Sequence, residues 1–182
     1  MTTTALLVQA SLVITSYELL KTSIIDEIQT FFADEWREGV WLDSDEYQRE
    51  VLRDGMSRLA GSLAWLQRND VLTADQVSSF ERLRAERNRL THELADVLLS
   101  PAKDVDTSVI SAAVEIAESL GRFWGGIAVD TDPAFDGQVV DYDAVRSGTS
   151  VLLDHLTGAA LFAQRLREMA ADVSVDDGPA GP

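Results

Sequence analysis

Hydrophobic positions recur every three or four residues along most of the 182-residue chain, with very little strict alternation, so helices and not strands are expected. The first segment, about Thr4 to Trp36, places Leu6, Ala10, Val13, Tyr17, Leu20, Ile24, Ile28 and Phe31 along one face. A second helix starts near Ser44, whose hydroxyl is suited to cap it, and carries Leu52, Met56, Leu59, Leu63 and Leu66 until Arg68-Asn69-Asp70 ends it. Thr73 and Gln76 form a capping-box pattern that opens a third helix, and Pro101 stops that helix near Ser100. Thr107 or Ser108 begins a fourth, through Ile110, Ala113, Ala117, Leu120, Phe123, Trp124 and Ile127. A long connection from Asp130 to Asp141, marked by Pro133 and Gly137, leads to a fifth. That last helix is expected from about Asp143 to Asp172, with Val145, Leu152, Leu156, Ala159, Ala163, Leu166 and Met169 lining a face.

The pattern predicts an all-α fold: a single-domain bundle of about five helices over residues 1–172, followed by a disordered acidic tail over 173–182. A hydrophobic content of 46% suffices for one substantial core, and no internal repeat or domain boundary interrupts it. The absence of cysteine excludes disulfides and thiolate zinc sites. Residues Thr2 to Tyr17 carry no charge, but they lack the basic start of a signal peptide and are interrupted by Gln9, Ser11, Thr15 and Ser16. No stretch is read as approaching the roughly 20 apolar residues of a membrane span, so a soluble cytoplasmic protein with no membrane partner is expected. A net charge of -16 opposes binding to a polyanion unless basic groups gather locally. Arg82, Arg84, Arg87 and Arg89 do gather on the third helix, interleaved with Glu81, Glu86 and Glu93.

One position on that helix breaks its own pattern. Phe80, Leu83, Leu90, Leu94 and Val97 form an apolar stripe, and Arg87 takes the slot between Leu83 and Leu90. An arginine there must be paired or line a wet cleft, and such breaks are enriched at functional sites. His92 projects about 140° around the helix from Arg87, with Asn88 one turn below it and placed to hold the imidazole. Because Arg87 and His92 diverge, a compact site is easier to build in a groove closed by a second helix or a second subunit.

The sequence Arg87-Asn88-x-x-x-His92, late in a long helix of an all-α chain, resembles the Arg-x(4–6)-His motif of the HEPN superfamily, the higher eukaryotes and prokaryotes nucleotide-binding domains. The resemblance covers the motif helix closely and the remainder by helix number and length. It implies a compact helical bundle, dimeric, with two motifs facing each other across the subunit interface. It implies too a metal-independent endoribonuclease of toxin or defence type, needing no cofactor, with RNA as substrate, an antitoxin protein as a partner and no DNA specificity. Arg87 and His92 would be catalytic, with Asn88 orienting them and Thr91 and Arg84 flanking the substrate. RNA supplies its own nucleophile in the 2′-hydroxyl, so a near-neutral base and a cation for the phosphate suffice, and the product is a 2′,3′-cyclic phosphate. In some branches a lysine precedes the arginine. Here Glu86 stands in that place, where it would compete for Arg87. Branches regulated by adenylylation carry a tyrosine two residues after the histidine, where this chain has Leu94.

Plainer roles stand beside these. Arg87 pairs with an acid from another helix, His92 is a surface histidine, Tyr17 is core, and His155, among Leu152, Leu153 and Leu156, is a satisfied core or interface histidine. Asp43-Ser44-Asp45-Glu46 reads as a solvated helix start, and Trp36, Trp41 and Trp124 as core or dimer packing. The alternative function is a catalytically silent HEPN-like helical dimer that binds protein or nucleotide, which the acidic charge favours.

Overall fold

The computed structural model describes residues 3–100 and 104–158 together with Phe162 and Arg165. Within them the order is α1 (Thr3–Phe32), a two-residue ladder of β1 (Trp36–Arg37) and β2 (Val40–Trp41), α2 (Asp45–Glu50), α3 (Arg58–Arg68), α4 (Ala74–Leu99), α5 (Ser108–Thr131) and α6 over 148–158. The fold is all-helical apart from that ladder. Six helices are described, because the expected second helix is two.

The apolar stripe of α1 forms the centre of the core: Leu6, Ala10, Val13, Tyr17, Leu20, Ile24 and Ile28 are all buried. They meet Phe80, Leu83, Leu90 and Val97 from α4 and Val109, Ile110, Ala113, Ile116, Ala117 and Leu120 from α5. Each pair among α1, α4 and α5 is in contact, and α3 lies against α1, where Phe31 and Phe32 meet Trp65. By length and composition alone α1 is apolar enough to cross a membrane, contrary to the expectation that no stretch approaches one. One stripe of its apolar positions is covered by α3, α4 and α5, while Leu7, Val8 and Phe31 stay exposed.

Three boundaries differ from the periodic reading, each for a local reason. α1 stops at Phe32 and not Trp36, because Glu38 (φ 51°) and Gly39 (φ 85°) form a left-handed pair that turns the chain back and sets Trp36 opposite Trp41. α2 and α3 are separate helices. Asp54, at φ 54°, breaks the run within a 3₁₀ turn at Arg53–Gly55, Ser57 Oγ then accepts from Ala60 N at 3.3 Å as a fresh cap, and Met56 is left exposed. The two are pressed together at Gly61, where a Cβ would lie 2.1 Å from the Val51 carbonyl oxygen. α6 starts at 148 and not at Asp143, with Ser147 Oγ accepting from Ser150 N at 3.1 Å. It buries Ser150 and Leu153, while Leu152 and His155 face out. His155 is thus not a core residue, and its Nδ1 lies 2.7 Å from the Val151 carbonyl.

The third expected helix is matched in detail. Thr73 and Gln76 make the reciprocal capping box, with Gln76 N to Thr73 Oγ1 at 3.2 Å and Thr73 N to Gln76 Oε1 at 2.9 Å, and α4 ends at Leu99. The side chains of Trp36 and Trp41, the tail 173–182 and the fifth-helix positions Ala159, Ala163, Leu166 and Met169 lie outside the described residues.

Candidate functional site

The packing of α1 on α4 decides where Arg87 goes. Tyr17 of α1 and Phe80 of α4 lie with ring centroids 5.7 Å apart, and about one and three turns further along α4, Leu83 and Leu90 are fully buried. Arg87 is between them, on the same stripe, so its stem must leave through the seam between the helices. Its guanidinium carbon comes to rest 5.3 Å from the centre of the Tyr17 ring, and its side chain stays 30% exposed. Arg87 Nη2 donates to Glu18 Oε1 at 2.5 Å, and Nη1 donates to Asn88 Oδ1 at 3.1 Å. Nε is buried with no acceptor among the described residues.

Glu18 serves two cations. Its Oε1 takes Arg87 from α4 and its Oε2 takes Lys21 from the next turn of α1, at 3.1 Å. Burial alone would raise the Glu18 carboxyl, but hydrogen bonds and charge from Lys21 and Arg87 outweigh it and hold the carboxyl below the usual glutamate range. Lys21 Nζ also lies 5.9 Å from the Tyr17 ring centre, so one ring is flanked by both cations. All three charged groups remain partly open to solvent, at 30% for Arg87, 37% for Lys21 and 39% for Glu18.

His92 is exposed, and the divergence expected from helical geometry is what the helix displays. Asn88 does not hold the imidazole; its carbonyl oxygen is taken by Arg87. Thr91 Oγ1 donates to the Arg87 backbone carbonyl at 2.8 Å, which ties it to its own helix. Arg84 is exposed and pairs with Glu81 at 3.3 Å, and Arg82 donates to Ser79. Glu86 does not compete for Arg87. It forms a two-pronged pair with Arg89, at 2.7 Å from Nε and 2.6 Å from Nη2, which raises the Arg89 pKa further. Glu86 also accepts from Asp106 N at 3.0 Å, and Arg89 donates to the Asp104 carbonyl, so this pair anchors the loop before α5. Of the basic cluster read along α4, Arg84 and Arg89 are thus taken by local acids and Arg82 by Ser79, while Arg87 reaches across to another helix.

Glu18 and Lys21 were not singled out from the sequence. A signal exists, since Glu18 is the first charged residue of the chain and interrupts a long uncharged run. The segment Asp43-Ser44-Asp45-Glu46 is a helix start as expected: Ser44 Oγ caps Tyr47 N at 3.1 Å, and Asp43 accepts from Gln29 at 2.8 Å and Arg58 at 2.9 Å. Among the described residues no group of three or more histidine, aspartate or glutamate side chains is placed to hold a metal ion. No protein-family model matches the chain, and no curated protein or solved structure matches it either.

Proposed function

We propose that this chain is a HEPN-like, metal-independent endoribonuclease of toxin or defence type, acting in the cytoplasm as a homodimer. The observation that carries the reading is the position of Arg87: a guanidinium on an apolar stripe that emerges at an open helix seam, on the same helix as an exposed His92. In such a reaction His92 moves a proton, either from the 2′-hydroxyl or to the leaving 5′-oxygen, and Arg87 neutralises charge developing on the phosphate. The forked donor geometry of arginine suits that second task. Arg87 and His92 of one subunit diverge by about 140°, so the complete site takes Arg87 and His92 from two copies facing one cleft. Asn88, Thr91 and Arg84 then border the bound strand. An antitoxin protein that covers this cleft is part of the same reading.

A second reading, the catalytically silent helical module that binds protein or nucleotide, is favoured by one specific observation. Glu18 pairs with Arg87 inside a single subunit, on a chain that carries a net charge of -16. The experiment that separates the two is incubation of purified protein with RNA in EDTA, with His92→Ala and Arg87→Ala alongside. The nuclease reading expects 2′,3′-cyclic phosphate ends and a loss of about 10²–10⁴-fold for His92→Ala at unchanged thermal stability. Equal, negligible cleavage by all three proteins leaves the binding module.

A further inference from the structure

The Arg87, Glu18 and Lys21 triad has the geometry of an occupied anion site. Two cations from two helices converge on the two oxygens of one carboxylate, over the face of one tyrosine. A phosphodiester presents the same pattern to its binders: two acceptor oxygens on one centre, bearing one negative charge. We infer that Lys21 and Arg87 form a binding site for a backbone phosphate of an RNA strand, and that Glu18 occupies this site as an internal competitor. The identity of the ligand rests on the ribonuclease reading; the site itself rests on the triad.

Three features make the carboxylate displaceable. Glu18 is 39% exposed, and an ion pair at that exposure is worth only about 0–1 kcal/mol, so exchanging it for another anion is nearly neutral. The Tyr17 ring that both cations flank is packed on Phe80, so this shared platform persists when Glu18 swings out on its own rotamers. Arg87 Nη2 is the donor that Glu18 occupies and would release, while Nη1 stays on Asn88 Oδ1. Once Glu18 leaves, two cations face solvent with no acid between them, on a chain that is otherwise strongly acidic. Lys21 then becomes a phosphate-binding residue contributed by α1, distant in sequence from the α4 motif.

The test uses binding and cleavage as separate readouts on the full chain. A fluorescent, fully 2′-O-methylated RNA oligonucleotide cannot be cut through its 2′ position, so its anisotropy reports binding alone. Glu18→Gln keeps the side-chain shape and removes the charge. It is expected to bind this RNA about tenfold more tightly than wild type at low salt, and to lose that gain in Glu18→Gln/Lys21→Ala and in Glu18→Gln/Arg87→Ala. Millimolar inorganic phosphate should compete with the RNA, whereas an equal ionic strength of chloride should compete less. Glu18→Asp retains the charge on a shorter arm and provides a second variant, with an expected affinity between the two. A folded Glu18→Gln that binds no more tightly than wild type, or a gain that survives Lys21→Ala, overturns the inference. Tighter binding without cleavage of unmodified RNA supports the anion site and removes the nuclease; cleavage by wild type with unchanged Glu18→Gln binding does the reverse.

Discussion

Glu18 and Glu27 lie on the same helix, nine positions apart, and their carboxyls are pushed in opposite directions. Nine residues are about two and a half turns, so the two project from opposite sides of α1. On one side burial is outweighed by hydrogen bonds and charge from Lys21 and Arg87, and the Glu18 carboxyl is lowered. On the other, burial dominates and raises Glu27. Ser23 Oγ donates to its Oε1 at 3.0 Å, Asp26 adds a like charge, and the Trp124 indole offsets part of the rise without completing a hydrogen bond. Glu27 Oε2 and Trp124 Nε1 are both buried without a partner among the described residues. Burial alone therefore does not say whether an acid on this helix is charged. The cations within reach do: Lys21 of α1 and Arg87 of α4 lower Glu18, where α5 offers Glu27 an indole.

The sharpest way to break this contrast is to remove the packing under only one side of it. Phe80→Ala opens a cavity beneath Tyr17, with an expected loss of about 3–5 kcal/mol in unfolding free energy by chemical denaturation. The Glu18 side should loosen with it. Carboxyl titration followed by NMR is expected to find Glu18 returning upward toward its ordinary range, with Glu27 unmoved. Equal movement of both would mean that the two sides of α1 are not independent.

What the sequence made legible divides along the same line between local and distant causes. The capping box at Thr73 and Gln76, the buried stripe of α1 and the intruding Arg87 all follow from neighbours within a turn or two, and each was readable. The break between α2 and α3 was also written locally, in Asp54-Gly55 and the fresh cap at Ser57, but Leu52, Met56 and Leu59 continue the apolar spacing across it and hide it. The partner of Arg87 was not readable. Glu18 is 69 positions away, and only the register of α1 against α4 selects it over Glu86, which is adjacent in sequence and pairs with Arg89 instead. Spacing alone does not settle the inward face of α6 for a related reason: Leu152 and Leu153 are both apolar, and tertiary packing chooses Leu153.

Intermediate in size is the effect of neutralising Glu27. A carboxyl raised in the folded state favours the protonated form there, so the fold loses stability as pH rises through that raised pKa and regains it on acidification. Glu27→Gln keeps an acceptor for Ser23 and removes the charge that burial penalises. It is expected to stabilise the protein by on the order of 1 kcal/mol at pH 7, with the advantage shrinking as the pH is lowered and wild-type Glu27 takes up its proton. Urea unfolding of both proteins as the pH is lowered measures it. A Glu27→Gln protein less stable than wild type at pH 7 would show that the charged carboxylate has a cation that the aromatic side of α1 does not reveal.

The smallest effect belongs to Lys21, and its sign is opposite. Glu18 is lowered, so its pairing contributes stability above the ordinary glutamate pKa and loses it as pH falls through the lowered value. Lys21→Met removes one of the two cations and leaves Arg87 in place, so Glu18 should titrate at a pH between its wild-type and its ordinary range. At pH 7 the cost is expected to be no more than about 0.5 kcal/mol, because the pair is exposed and the lysine stem can be replaced by a methionine that still covers Tyr17. The acid limb of the unfolding curve is where the difference would vanish, since both proteins have then lost the charge on Glu18. A Lys21→Met protein whose Glu18 titrates like wild type would assign the whole lowering to Arg87, making the contrast between the two sides of α1 the work of a single guanidinium.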